Sequence, residues 1–217
     1  MEGAPDPAGE GSDRVKLNIL NTFLLQERVQ MPEYYLDIET TGLDPKKDKI
    51  ITIQYQRLGM LTGRSEGDLH ILRSWDSSEK DILELFLPIF EGGGPFSFVA
   101  IGVNIPFMYS FIVERARIHG LDAPEPLYLF GRKPYLDIKP VLVLMNKGSF
   151  KGASLDRFME LSYKGEDIPR MYFEERYDRI IECIKEEADK FQKLYRHLKE
   201  RAPSLVIAKG LVQTTLD

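Results

Sequence analysis

The chain has 217 residues, 43% of them hydrophobic and 11% aromatic, enough for one α/β domain with a sizeable core. Its net charge of −5 argues against a protein that coats nucleic acid through bulk charge, but not against an enzyme that meets phosphates through bound cations. A single cysteine, Cys183, forbids an internal disulfide and fits a reducing compartment.

The first residues are rich in Gly, Pro and acid and show no apolar leader. No apolar run approaches the ~20 residues that span a bilayer. The expectation is a soluble, cytoplasmic protein with no membrane partner. Residues 1–14 read as a disordered tail and residues 15–217 as a single domain. Val15–Gln30 is expected to form a strand or short helix packed on that domain. Tyr34–Ile38 reads as a buried strand, Lys49–Leu58 as a second and Asp68–Arg73 as a third. The turn signals between them predict an antiparallel meander. Ser78–Phe90 changes to a helical period, with Ile82, Leu83, Leu85, Phe86 and Ile89 as its stripe and Pro88 expected to kink or end it. Phe96–Gly102 is a fourth strand. Ile105–His119 is a helix with Pro106 in its first turn and Gly120 after its end. Ala123–Pro134, with three prolines, is expected to be a surface loop. Asp137 is expected to cap a short helix to Leu144, and Ser154 another to Leu161. A long helix runs from Phe173 to Arg201. This order predicts a layered α/β or α+β domain.

Asp37 and Glu39 sit at i and i+2 near the end of an apolar strand, so they aim to the same face. Adjacent like charges repel unless a proton or cation separates them, and a pair of divalent cations is a common reason to build such a site. In the late helix, Ile180, Ile184, Phe191, Leu194 and Leu198 form a stripe with one gap, and Glu187 fills it. Asp189 lies about 200° around the helix from Glu187 and faces away. An acid in an inward stripe is costly unless it is paired or metal-bound.

The segment Leu36-Asp37-Ile38-Glu39-Thr40-Thr41-Gly42-Leu43 resembles the first motif of the DEDD-type 3′→5′ exonucleases, nearest to the prokaryotic group related to family B polymerase proofreading domains. Ile101–Ile112 is similar to the second motif at Gly102, Asn104, Ile105 and Phe107, with Met108 where a metal-binding Asp is expected. Ile180–Tyr195 is similar to the late helix of the third motif, with Cys183 at its Tyr position and Glu187 at its Asp position. The resemblance implies a ribonuclease-H-like fold, with a mixed sheet flanked by helices. It also implies metal-dependent hydrolysis of phosphodiesters from nucleic-acid 3′ ends, DNA or RNA. Asp37, Glu39 and Glu187 would be the catalytic, metal-holding acids for Mg²⁺ or Mn²⁺, at a two-metal site with one weak ion. Thr40, Thr41, Leu43 and Asn104 would contact the terminal nucleotide. Two alternatives remain at this point: an inactive ribonuclease-H-like module binding nucleic acid or protein, and a metal enzyme acting on a small nucleotide. His70, His119 and His197 show no metal-ligand spacing, Glu91–Pro95 lacks the Lys-Ser/Thr of a phosphate loop, and the basic residues of the late helix read as a solvated face.

Overall fold

A computed structural model describes residues 31–208, with side chains to residue 201. The tail and the Val15–Gln30 element lie outside the described residues. Five strands form one sheet in the order β3-β2-β1-β4-β5. They are β1 (Glu33–Thr40), β2 (Ile50–Leu58), β3 (His70–Arg73), β4 (Val99–Gly102) and β5 (Tyr135–Asp137). β1 to β3 are the antiparallel meander, whereas β4 and β5 run parallel to β1. The helices are α1 (Glu79–Glu91), α2 (Ile105–Ile118), α3 (Pro126–Gly131), α4 (Lys139–Met145), α5 (Leu155–Met159), α6 (Ile168–Phe173) and α7 (Tyr177–Ala208). The fold is the mixed α/β, ribonuclease-H-like one. None of the described helices is long and apolar enough to cross a membrane.

Alternation along the strands divides the core. Leu36, Ile38, Ile53, Tyr55 and Ala100 pack against α1 and α2. Tyr35, Val99 and Ile101 pack on the opposite face against Ala188, Phe191, Leu194 and Tyr195 of α7. Glu39 pairs with Thr52 but Thr40 pairs with Ile50, so Ile51 is an extra residue. This bulge turns Ile51 toward α6 and α7, where it joins Ile180, Cys183 and Ile184. It also releases the chain from the sheet at Thr40. Gly102 is required where β4 ends, because a Cβ there would lie 2.5 Å from the Leu36 carbonyl oxygen.

A buried ion cluster ties the helices to the turn after β1. Glu79 accepts from Arg115 Nε at 2.8 Å, from Arg115 Nη2 at 2.6 Å and from the Ile50 N–H at 2.8 Å, and pairs with His119 Nε2 at 2.8 Å. Arg115 also reaches the Pro45 carbonyl at 3.4 Å. Burial pushes the Glu79 carboxyl up, but Arg115, His119 and the Ile50 N–H together hold it below its ordinary value.

Several local expectations need correction. Pro88 does not end α1. Its missing N–H faces the exposed side, while Phe86, Leu87 and Phe90 anchor the last turn. The buried stripe of α1 is Ile82, Leu83, Phe86, Leu87 and Phe90, and Leu85 and Ile89 are exposed. The 123–134 segment contains α3, whose Leu129 is buried under α2 contacts, so it is not merely a loop. Three-residue β5 is too short for a periodic signal. The late helix begins at Tyr177, because Glu175 takes a left-handed backbone (φ 56°) and separates α6 from α7.

Replacing Glu79 by Ala would strand the Arg115 charge in the core. Such losses cost about 3–5 kcal/mol, so urea unfolding of Glu79→Ala is expected to show a loss of that size.

Candidate metal centre and substrate cleft

Glu33, Tyr35, Asp37 and Glu39 share one face of β1, and α7 lies along it. Two residues of strand advance about 6.6 Å and four residues of helix about 6 Å, so the two elements stay in step. Tyr195 donates its hydroxyl to Glu33 at 2.9 Å, and Lys199 Nζ donates to Glu33 at 2.8 Å. The Tyr35 and Phe191 rings meet at 4.8 Å between centroids. One turn further, Glu187 arrives beside Asp37 and Glu39. One carboxylate oxygen from each of these three acids lies within 4.8 Å of the others.

This arrangement is electrostatically costly. Burial pushes the Asp37 carboxyl well above its usual range and the Glu187 charge pushes it further, although Gln54 Nε2 donates to Asp37 at 2.9 Å. Burial also raises Glu39, reinforced by Asp37 and Glu187. Glu187 is raised by burial, and a hydrogen bond from Tyr163 only partly offsets this. Gln54 is itself held by the Thr52 hydroxyl at 2.9 Å. Three converging carboxylates, all offering oxygen, fit a hard divalent cation, so Asp37, Glu39 and Glu187 could hold one.

Beside the acids is a cleft of about 380 Å³, lined by Asp37, Leu43, Asn104, Phe107, Met108 and Glu187 among others. Leu43 stands at its lip, 83% exposed. Asn104 is the first residue before α2, in a left-handed conformation (φ 66°), and its side chain makes no capping bond. Its N–H donates to Asp137 at 2.7 Å, and Asp137 also receives the Lys139 N–H at 2.9 Å. Asp137 is thus the last residue of β5 and fastens two turns, and it does not line the cleft. Met108 is buried among apolar residues yet forms part of the cleft wall. Thr40 donates its hydroxyl to the Gly42 carbonyl at 2.6 Å, and Thr41 Oγ1 accepts from the Lys49 N–H at 2.9 Å. Both hydroxyls hold the turn, and neither threonine lines the cleft. Asp189 is exposed and paired with Lys193 at 2.6 Å.

Cys183 packs in an apolar cluster, and burial pushes its thiol up to about 11. The phenol in the site belongs instead to Tyr163, on the bend between α5 and α6, which donates its hydroxyl to Glu187. Burial beside the acids raises the Tyr163 hydroxyl far above its ordinary value. Asp156 of α5 also lines the cleft, and its charge contributes to raising Glu187. Sequence reasoning missed Tyr163 and Asp156, since neither stands in a motif. The polar alternation Thr52-Gln54-Gln56 within an otherwise apolar strand was a legible signal for the Asp37 support.

No family model matches this chain. It is 28% identical over 187 residues to the uncharacterized protein MJ0365 of Methanocaldococcus jannaschii, covering 77% of this chain and 96% of that one. Among solved structures it is similar to the zinc-bound E. coli exonuclease I complex with single-stranded DNA, at 12% identity and a TM-score of 0.56 over 81% of this chain. It is similar also to E. coli exonuclease I with a dT13 oligonucleotide, at 13% identity and a TM-score of 0.55 over 82% of this chain. The chain spans only 42% and 43% of those two exonuclease chains. At these identities the likeness is one of fold: exonuclease I is a DEDD-type exonuclease of the ribonuclease-H-like fold, and this chain has that fold.

Each raised carboxyl binds its proton more tightly in the folded chain than in the unfolded one, whose carboxyls titrate near pH ~4. Folding then takes up protons, so stability of the metal-free protein should fall as pH rises from that range through the raised folded values. Asp37→Asn, which keeps an acceptor for Gln54, is expected to stabilise the metal-free protein at neutral pH, because it relieves the repulsion from Glu187 and Glu39. Thermal melts across pH, with and without Mn²⁺, check both: Mn²⁺ should flatten the wild-type dependence and leave the Asp37→Asn melt unmoved.

Proposed function

We propose that this chain is a metal-dependent phosphodiesterase of the DEDD type that removes nucleotides from the 3′ end of DNA or RNA. We place it nearest the prokaryotic group related to family B proofreading domains. The single observation that carries the reading is the meeting of Asp37, Glu39 and Glu187 within 4.8 Å beside a cleft of nucleotide scale. A binding module would gain nothing from three mutually repelling acids, one buried and two half-buried, whereas activity often requires such a stored cost. Mg²⁺ or Mn²⁺ held there would supply Lewis acidity at the phosphoryl group and an activated water.

The protein's own contributions follow from their positions. Asp37 and Glu39 come from one strand and Glu187 from α7, so the acids approach a phosphate from two sides. Gln54 fixes the Asp37 carboxylate, and the Tyr163 hydroxyl fixes that of Glu187. Leu43 at the lip offers apolar surface to the terminal base, and the free Asn104 amide faces the sugar. Thr40 and Thr41 act by shaping the turn that presents Leu43.

Met108 contributes no carboxylate, and a thioether is a poor ligand for hard cations. Mg²⁺ demands near-ideal octahedral oxygen geometry, which a site with one acid lost and one lengthened to Glu187 meets poorly. Slow cleavage with Mn²⁺ outperforming Mg²⁺ is therefore expected on a 5′-labelled single-stranded oligonucleotide. Asp37→Ala should be inactive, and Met108→Asp should raise the rate with Mg²⁺. Robust Mg²⁺-dependent cleavage by wild type would mean that another group, with Asp156 best placed, fills the gap. Absence of cleavage by both proteins despite bound metal would overturn the hydrolytic reading.

A further inference from the structure

The wall of the cleft holds an acid beyond the three that converge. Asp37, Asp156 and Glu187 are the carboxylates that line it, and Glu39 is not part of that wall. Asp156 owes its place to its neighbour in α5. Leu155 is buried in the same apolar cluster as Ala188, the residue after Glu187 in α7. This packing brings Asp156 up to Glu187, whose carboxyl its charge raises. Tyr163, seven residues further along the same segment, donates its hydroxyl to Glu187.

The four acids differ in what they already hold. Asp37 accepts from Gln54, and Glu187 accepts from Tyr163. Glu39 is only 9% exposed, and its carboxylate accepts no hydrogen bond and forms no ion pair. A carboxylate buried so deeply without a donor is costly. It is aimed at the other acids, with an oxygen within 4.8 Å of Asp37 and Glu187. The half-buried Asp156 carboxylate likewise has no hydrogen bond and no ion pair. Lys139, the base in the wall, does not neutralise it, because its Nζ donates to the Ala153 carbonyl at 2.5 Å. One divalent cation would match half of the negative charge on four carboxylates, and two would match all of it.

We infer that Asp156 holds a second divalent cation, replacing the carboxylate that Met108 does not supply. The inference rests on the nuclease reading and deepens it, since Asp156 lies outside all three motifs. Asp37, Glu39 and Glu187 are the inner set of ligands. Asp37, Asp156 and Glu187, the acids of the cleft wall, are the outer set, so Asp37 and Glu187 serve both. Asp156 stands outside the group that converges within 4.8 Å, so the outer cation is the weaker one and meets Asp156 through water. Such a site suits Mn²⁺ better than Mg²⁺, which demands near-ideal octahedral geometry.

The test counts bound Mn²⁺ by electron paramagnetic resonance, with thymidine 5′-monophosphate present to supply a phosphate, for wild type, Asp156→Asn and Asp156→Glu. Wild type is expected to bind one Mn²⁺ tightly and a second weakly. Asp156→Asn should keep the tight ion, which also shows that it is folded, and weaken the second by about 10- to 100-fold. Asp156→Glu should retain both. Asp189→Asn, which removes the same charge from an exposed position of α7, should leave both unchanged. A single ion on wild type, or an unchanged second ion on Asp156→Asn, would overturn the inference. Mn²⁺-dependent cleavage, assayed in parallel, separates this from the nuclease reading. Cleavage by wild type with the second ion unmoved in Asp156→Asn removes the outer site alone. A second ion lost in Asp156→Asn, with no cleavage by wild type, removes hydrolysis alone. No bound Mn²⁺ on wild type removes both.

Discussion

The register between β1 and α7 is the constraint on which the rest of the site depends. Strand residues 33, 35 and 37 face helix residues 195, 191 and 187 because two strand steps and one helical turn advance by nearly equal lengths. Glu33 with Tyr195 and Lys199 anchors one end, the Tyr35–Phe191 ring contact holds the middle, and the acids meet at the other end. The two ends differ in kind. At one, an acid is matched by a cation and a phenol. At the other, three acids face each other, and a bound cation or a shared proton would relieve their repulsion. The apolar packing between sets the geometry, so the cost of the acids is carried by the core rather than by their own contacts.

The bulge at Ile51 serves this geometry. It sends Ile51 into the cluster of Cys183 and Ile184 just beneath Glu187, and it frees Thr40–Leu43 from the sheet so that Leu43 reaches the lip of the cleft. The Glu79–Arg115 pair, through Pro45, steadies the far end of the same turn. The rim of the site is therefore held from both faces of the sheet.

The departures from the DEDD pattern are also ordered in space. Met108 and Cys183 are both absorbed into apolar clusters. Polar groups near the same space come from elsewhere: a phenol from Tyr163 and a carboxylate from Asp156, both on the segment between α4 and α6 that walls the adjoining cavity.

What the sequence by itself determined is what depends on local periodicity. The parity of a strand puts Asp37 and Glu39 on one face, and the filled stripe of a helix turns Glu187 inward and Asp189 outward, whatever the fold around them. The meander of β1 to β3 was legible for the same reason, since each strand is long enough to alternate and is bounded by turn residues. Tertiary structure alone decided the rest. Short elements such as β5 and α3 carry too few residues for a period, and Pro88 is tolerated because packing around Phe86 and Phe90 outweighs one lost hydrogen bond. Tyr163 and Asp156 are 24 and 31 positions from Glu187, on a segment without motif or period, and reach it only because α5 and α6 fold back over α7. The same folding collects Lys151, Arg157 and Lys164 with Asp156 and Glu166 around one cavity, because charge at a site is a sum over space and not over sequence.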